Sequence, residues 1–296
     1  MDPELKTILA AFSFALGACV ASFLNVVAWR LPRGESIVSP PSHCPKCNMP
    51  IRWWQNIPII SWLALRGKCA NCREPISPRY IIVEAIGGAL FLAAFLHIFG
   101  GDSWASSFGR VQSLSAFSVV SLFVWWAWMS LMLVGSVIDF DHKLLPDFVT
   151  EGGMVLGVAQ ATVFCLSLKN FHPEFTNPMM YLPLIVSLSG LVLGFGLLWL
   201  VRFLGSKAFK REAMGMGDVF LMGAVGALFG PVAVVFTLVV SSLVGSVAGL
   251  SLIALNRLRR GRFVEIPFGP YICAACLIWM LAGEEILKWY IILVFG

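Results

Sequence analysis

The run Asp139-Phe140-Asp141-His142-Lys143-Leu144-Leu145-Pro146-Asp147 sets three carboxylates, a histidine and a lysine at the end of a long apolar stretch. Ionised groups are expensive there and usually serve a function. A second run, Met214-Gly215-Met216-Gly217-Asp218, puts a lone aspartate behind a glycine-flanked turn at the head of another apolar stretch. Two carboxylates held within a few ångströms in a dry site cannot both ionise, so they share a proton. One then acts as base on a water while the other polarises a carbonyl. Asp139 and Asp218 are the expected catalytic pair, because each is the acid nearest the apolar side of its motif. Asp141 and Asp147 fall in the polar turn beyond, as supporting or capping residues, and Pro146 marks Asp147 as a helix start. Gly215 and Gly217 let an extended peptide backbone come close. The chemistry this suits is peptide hydrolysis by a membrane aspartyl protease. Proton- or cation-coupled transport and plain helix capping use the same residue types and stay open on these residues alone.

A second constellation is made of sulfur. Cys44-Pro45-Lys46-Cys47 and Cys69-Ala70-Asn71-Cys72 are two C-x2-C pairs separated by twenty-one residues, the spacing of a tetrahedral zinc site with four thiolate ligands. Four thiolates leave no open position for water, so such a metal is structural. Two disulfides are the alternative, disfavoured in a cytoplasmic segment. His43 is a spare ligand candidate. Cys19, Cys165, Cys273 and Cys276 lie in apolar runs and read as small apolar side chains, with Cys273-x-x-Cys276 a minor redox or metal candidate.

These residues must be positioned by membrane helices. The chain has 296 residues, 58% hydrophobic and 12% charged, far below the charge of soluble domains. The net charge of +5 bears on loop placement rather than on a nucleic-acid partner, and none is expected. Apolar runs cover Thr7 to Trp29, Ala85 to Gly101, Val111 to Ile138, Gly152 to Leu168, Phe175 to Val201, Val219 to Asn256 and Ile266 to Gly283. The sixth is too long for one crossing and breaks naturally at Gly230-Pro231. The fold class expected is therefore an all-α polytopic membrane protein of about eight helices in a lipid bilayer. Val219 to Gly230 is only about 18 Å of helix, so that crossing must begin before Asp218, leaving the carboxylate within the bilayer and facing the bundle.

Residues 30–80 form the one sizeable polar region. Arg30, Arg33, Lys46, Arg52, Arg66, Lys68, Arg73 and Arg79 face only Glu35 and Glu74, which places the region in the cytoplasm. Eight alternating crossings then put seventeen of the Lys and Arg residues inside; Lys6, Arg110, Lys169 and Lys288 remain outside. A segment this short cannot bury much core and needs a staple. The expected domains are 1–29, a first membrane helix; 30–80, a cytoplasmic zinc-binding domain; and 81–296, a seven-helix membrane aspartyl protease domain. Leu16-Gly17-Ala18-Cys19 resembles a lipoprotein cleavage box, but Asp2 and Glu4 precede it and apolar residues continue beyond it, so the helix is read as retained. No H-E-x-x-H or G-x-S-x-G motif is present, against zinc-protease and serine-hydrolase chemistry.

The chain resembles the bacterial type IV prepilin peptidases. The carriers are Ser22-Phe23-Leu24-Asn25-Val26-Val27 with Arg30-Leu31-Pro32, the cysteine pairs, Asn56-Ile57-Pro58, Gly67-Lys68-Cys69, Arg79-Tyr80 with Glu84, Ile138-Asp139-x-Asp141 with Leu145-Pro146-Asp147, Gly215-x-Gly217-Asp218, and Ile266-Pro267-Phe268-Gly269-Pro270-Tyr271. The resemblance implies a bifunctional inner-membrane enzyme of type IV pilus and type II secretion systems. It implies removal of the basic leader of prepilins and pseudopilins after a glycine, on the cytoplasmic face. It further implies methylation of the new N-terminus with S-adenosylmethionine. The family's catalytic aspartates fall on Asp139 and Asp218, and its methyl-transfer glycine on Gly67. Two positions depart from the family pattern: Val219-Phe220 stand where many members have an aromatic residue and a lysine, and Arg66 where a small residue is common. A carboxylate-coupled transporter, or a peptidase without methyl transfer, is the alternative reading.

Overall fold

The computed structural model describes residues 2–100, 116–171, 181–210, 212, 214–254 and 267–295. Parts of five expected apolar runs (101, 111–115, 175–180, 255–256 and 266) lie outside the described residues, as do Arg110, Arg211, Arg257, Arg259, Arg260 and Arg262. The helices are α1 (Pro3–Arg30), α2 (Ile60–Ala64), α3 (Arg79–Phe99), α4 (Ala116–His142), α5 (Asp147–Phe171), α6 (Leu182–Phe209), α7 (Met216–Ala254) and α8 (Gly269–Phe295). Short 3-10 turns follow α1 at Leu31–Arg33 and precede α2 at Trp53–Asn56. Apart from two isolated bridges, the described residues contain no β-structure.

Six of these helices are long and apolar enough to cross a bilayer, and Gly269–Gly283 is a shorter apolar helix. The longest helix, α7, is interrupted where expected. Gly230 has φ 81° and ψ −178°, a conformation open to glycine, and Pro231 next to it has no N–H for the helical ladder. About eight crossings is thus the right approximate count. Helix starts differ from the edges of the apolar runs. α3 starts at Arg79, before the apolar run, and α4 continues through Asp139 to His142. Polar residues can extend a helix beyond the stretch that hydropathy marks.

The chain packs as two units, Met1–Val134 and Gly135–Gly296, with the border inside α4. In the first, α1 crosses α3 at small residues: a Cβ on Gly17 would lie 2.5 Å from the Gly87 carbonyl. The Trp126 indole of α4 stacks on Phe91 at 4.9 Å and donates to the Phe91 carbonyl. In the second, α6 and α7 touch backbone to backbone at Gly190 and Gly226. There the buried Ser187 hydroxyl donates to the Ala227 carbonyl at 2.6 Å. Without water to drive apolar association, close backbone approach and such hydrogen bonds hold membrane helices together.

Candidate functional site

In the second unit, Asp139 lies near the end of α4 and is 5% exposed, and Asp218 is the third residue of α7 and is 8% exposed. The two carboxylates are near enough to interact electrostatically. As expected, α7 starts before Asp218. Its approach is held by Arg202 of α6, which pairs with Glu212 at 3.1 Å and donates to the Met216 sulfur at 3.0 Å.

The turn after α4 supplies a side chain that abuts the glycines beside both acids. Lys143 adopts φ 54° while its N–H donates to the Asp139 carbonyl, and the chain re-enters helix at Asp147. This aims Leu145 inward. A Cβ on Gly217 would lie 2.7 Å from the Leu145 Cβ, and one on Gly269 would lie 3.1 Å from its Cδ1. Leu145 therefore packs against the neighbour of Asp218 and also against the partner of Asp139. That partner is Gly269, whose N–H donates to Asp139 Oδ2 at 3.1 Å in a buried setting. Gly269 opens α8, so this N–H has no acceptor within its own helix, and the positive end of the helix dipole meets a carboxylate. A Cβ at residue 269 would lie 2.6 Å from the same oxygen. Cys273 is buried one turn along α8, beside Ser136 and within electrostatic reach of both acids.

Asp139, Asp218, Gly215 and Gly217 are thus brought together, whereas Asp141 and Asp147 are exposed at the end of α4 and the start of α5. A Cβ on Gly215 would meet Asp218 Oδ2 only at an ordinary 3.5 Å. Leu145 and Gly269 entered the sequence analysis only as motif residues of the family resemblance and Arg202 only as a loop charge; none was assigned a part in the site. The available signal for Gly269 was a glycine directly before a proline at a helix start.

In the first unit, the Sγ atoms of Cys44, Cys47, Cys69 and Cys72 all lie within 4.8 Å of one another. They sit on two equivalent knuckles. The Cys44 N–H donates to the Met49 carbonyl and the Asn48 N–H to the Cys44 carbonyl; the Cys69 N–H to the Glu74 carbonyl and the Arg73 N–H to the Cys69 carbonyl repeat the pattern. Asn48 and Arg73 both take positive φ, 54° and 62°. All four are free thiols, and Cys44 and Cys72 stand 3.8 Å apart. That is well beyond a disulfide and close to the ~3.8 Å edge of a tetrahedron with Zn–S bonds of about 2.3 Å. The Met49 backbone N–H, then the Asn71 side chain, draw the Cys47 thiol down to about 6. At Cys72 the Glu74 backbone also favours thiolate, but desolvation and the crowding of the other three sulfurs push it up to about 12. Sulfurs that oppose one another's ionisation are a donor set that fits a cation. His43 Nδ1 instead contacts the Pro41 carbonyl at 3.2 Å.

Gly67 stands outside this cluster, with φ 66° and a Cβ position 2.8 Å from the Trp62 ring. The Trp62 indole donates to the Ile76 carbonyl. A cleft of about 320 Å³ borders α1, lined in part by Ser22, Arg30, Ser42 and Asn56. Buried Arg30 ties the loop to the helix end by donating to the Ser36 and Pro40 carbonyls at 3.0 and 2.8 Å.

The family model described as Bacterial Peptidase A24 N-terminal domain matches residues 15–98, and that of the Type IV leader peptidase family matches residues 126–250. A Myxococcus xanthus protein named prepilin leader peptidase/N-methyltransferase is 39% identical over 84% of this chain, which spans 65% of that relative's length. Proteins of the same name from Stutzerimonas stutzeri and Pseudomonas aeruginosa are 33% and 32% identical, each over 93–94% of this chain and 91–92% of their own length. No solved structure matches. With both family models matched in chain order and relatives aligned almost end to end, the chain belongs to the type IV leader peptidase family.

Proposed function

We propose that the chain is a multi-pass aspartyl endopeptidase of the bacterial inner membrane that removes the basic leader from prepilins and pseudopilins and then N-methylates the new terminus. The observation that carries the peptidase reading is that buried Asp139 and Asp218 lie near enough to interact electrostatically, with Gly269 fixing one oxygen of Asp139. In this reading one carboxylate takes a proton from water as the water attacks the scissile carbonyl. The other, protonated, donates a hydrogen bond to that carbonyl oxygen, and the proton passes to the leaving amine. Gly215 and Gly217 leave room for the substrate backbone, while Asp141 and Asp147 support the turn. The basic leader is drawn to these exposed acids at the cytoplasmic face.

Cys44, Cys47, Cys69 and Cys72 would hold zinc, which when bound supplies a structural cross-link of the two knuckles in a cytoplasmic loop. S-adenosylmethionine supplies the methyl group. The cleft beside α1 has the volume of small-ligand sites, which begin near 300 Å³, and its serine, asparagine and arginine groups suit a polar cofactor. Gly67 acts there indirectly, because any side chain would displace Trp62 from the loop that borders the second knuckle. The test is a membrane cleavage assay on a model prepilin with and without S-adenosylmethionine. Leader loss that requires both Asp139 and Asp218, followed by a one-methyl mass gain, is the expected result. No leader loss with any prepilin, or loss that survives Asp218→Asn, overturns the reading.

A further inference from the structure

The segment between the two knuckles carries an apolar surface on a part of the chain that is otherwise strongly basic. Trp53 is 77% exposed, Ile60 63% and Leu63 58%. Ile60 and Leu63 share one face of α2, since residues three apart in a helix do so. Ser61 and Trp62 point the other way: the Ser61 hydroxyl donates to the Trp54 carbonyl at 2.8 Å, and Trp62 covers Gly67.

The depth of this surface is set by one hydrogen bond. The Ile59 N–H donates to Glu84 Oε2 at 2.7 Å, and Glu84 is buried on α3. Glu84 lies five residues past the start of α3 and directly before the apolar run that begins at Ala85. The segment is therefore anchored where the chain enters hydrocarbon, the boundary at which interfacial helices lie. Asn25 of α1 donates to the Tyr80 carbonyl of α3, one turn before Glu84, so α1 meets α3 next to this anchor. The turn that aims α2 outward is strained: Ile59, a β-branched residue, has φ 64°, an outlier tolerated only where the surroundings enforce it. Charge fits the same partner. Arg52 stands 5.2 Å over the Trp54 ring, and Arg33 3.7 Å over that of Trp29. Aromatic residues of this kind concentrate at membrane interfaces, and basic groups beside them favour anionic headgroups.

We infer that α2 and the Trp53–Trp54 turn form a foot embedded in the anionic lipid surface beside α1 and α3, pinned there by Glu84. The foot holds the thiolate knuckles at the membrane rather than free in solution. A pilin helix or a second copy of this chain covering the same face are the competing occupants.

The experiment places the photoreactive residue p-benzoylphenylalanine, one position at a time, in the full-length protein at Trp53, Ile60, Leu63 and, as a solvent-facing control, Lys46. Each variant is reconstituted without substrate in nanodiscs of phosphatidylcholine, with or without phosphatidylglycerol, irradiated, and analysed by mass spectrometry. Lipid adducts at residues 53, 60 and 63 but not at 46, several-fold more abundant with phosphatidylglycerol, are expected. Chain-to-chain adducts at residues 60 and 63, or no adducts there, overturn the foot. Equal lipid adducts in the two compositions overturn its preference for anionic lipid. Metal content and monodispersity, measured on each variant, show that the label has not unfolded the loop.

Discussion

The thiolate cluster and the carboxylate site are built by opposite routes. Each knuckle brings its two sulfurs together through hydrogen bonds spanning a few residues, and the second knuckle repeats the first. The carboxylate site takes Asp139 from α4, Asp218 from α7 and Gly269 from α8, so it exists only when the helices have packed. Local geometry can be written in a motif, whereas the second site depends on every helix between its members. The two should therefore fail differently when perturbed.

The largest separation is expected from the acids. Asp139→Asn and Asp218→Asn each lower leader cleavage by about 10³-fold or more, the scale of losing an acid–base group. Metal content and thermal midpoint stay near those of the unaltered protein, because the Asn side chain keeps the shape of Asp and all four thiols are unchanged. Cleavage within a few-fold of normal in either variant would break the dyad. The reciprocal change is Cys44→Ser with Cys47→Ser. Bound zinc, read by plasma mass spectrometry, falls to background, and the 31–78 loop becomes protease-sensitive, since metal binding and local folding are one equilibrium in such small sites. Retained zinc would show that these thiolates are not its ligands.

A smaller effect sharpens the carboxylate side. Gly269→Ala sets a methyl 2.6 Å from Asp139 Oδ2, so the carboxylate must turn away from the amide that holds it. A drop in kcat of about 10–100-fold, equivalent to roughly 1.4–2.7 kcal/mol of transition-state stabilisation, is expected with KM for prepilin unchanged. A rise in KM with kcat intact would mean that residue 269 shapes substrate binding and not the acid.

What could be read in advance follows the same division. The C-x2-C pairs name their own neighbours, and the hydrophobic runs name the helices, since crossing a bilayer demands length and apolarity of each segment separately. Gly230-Pro231 could be recognised as a break because both residues act on the local backbone. Asp139 and Asp218 stood out by type, being acids at the mouths of apolar runs. Leu145, packed against the glycines beside them, is an ordinary leucine whose role arises from Gly217 and Gly269 in distant helices. Gly269 itself donates a backbone N–H, a group that every residue but proline carries, so nothing in its identity announced the bond to Asp139. Glu84 was visible as a quoted motif residue, but its partner, the Ile59 N–H, was hidden for the same reason.

That last bond gives the mildest test. Glu84→Gln keeps the shape and an acceptor oxygen but replaces a charge-assisted hydrogen bond with a neutral one, a loss of about 1 kcal/mol. For a chain of this size that lowers the unfolding midpoint by roughly 2–4 °C. Because Glu84 and Ile59 lie in the first unit and both acids in the second, leader cleavage should remain within about two-fold, a barrier change of no more than roughly 0.4 kcal/mol. Glu84→Ala removes the acceptor altogether, and the strained φ of Ile59 then has nothing to hold it. It should lower the midpoint further and release α2 to proteolysis while Asp139 and Asp218 keep their geometry. Equal midpoints for the alanine and glutamine variants would mean that packing around α2, and not the Glu84 carboxylate, holds the turn.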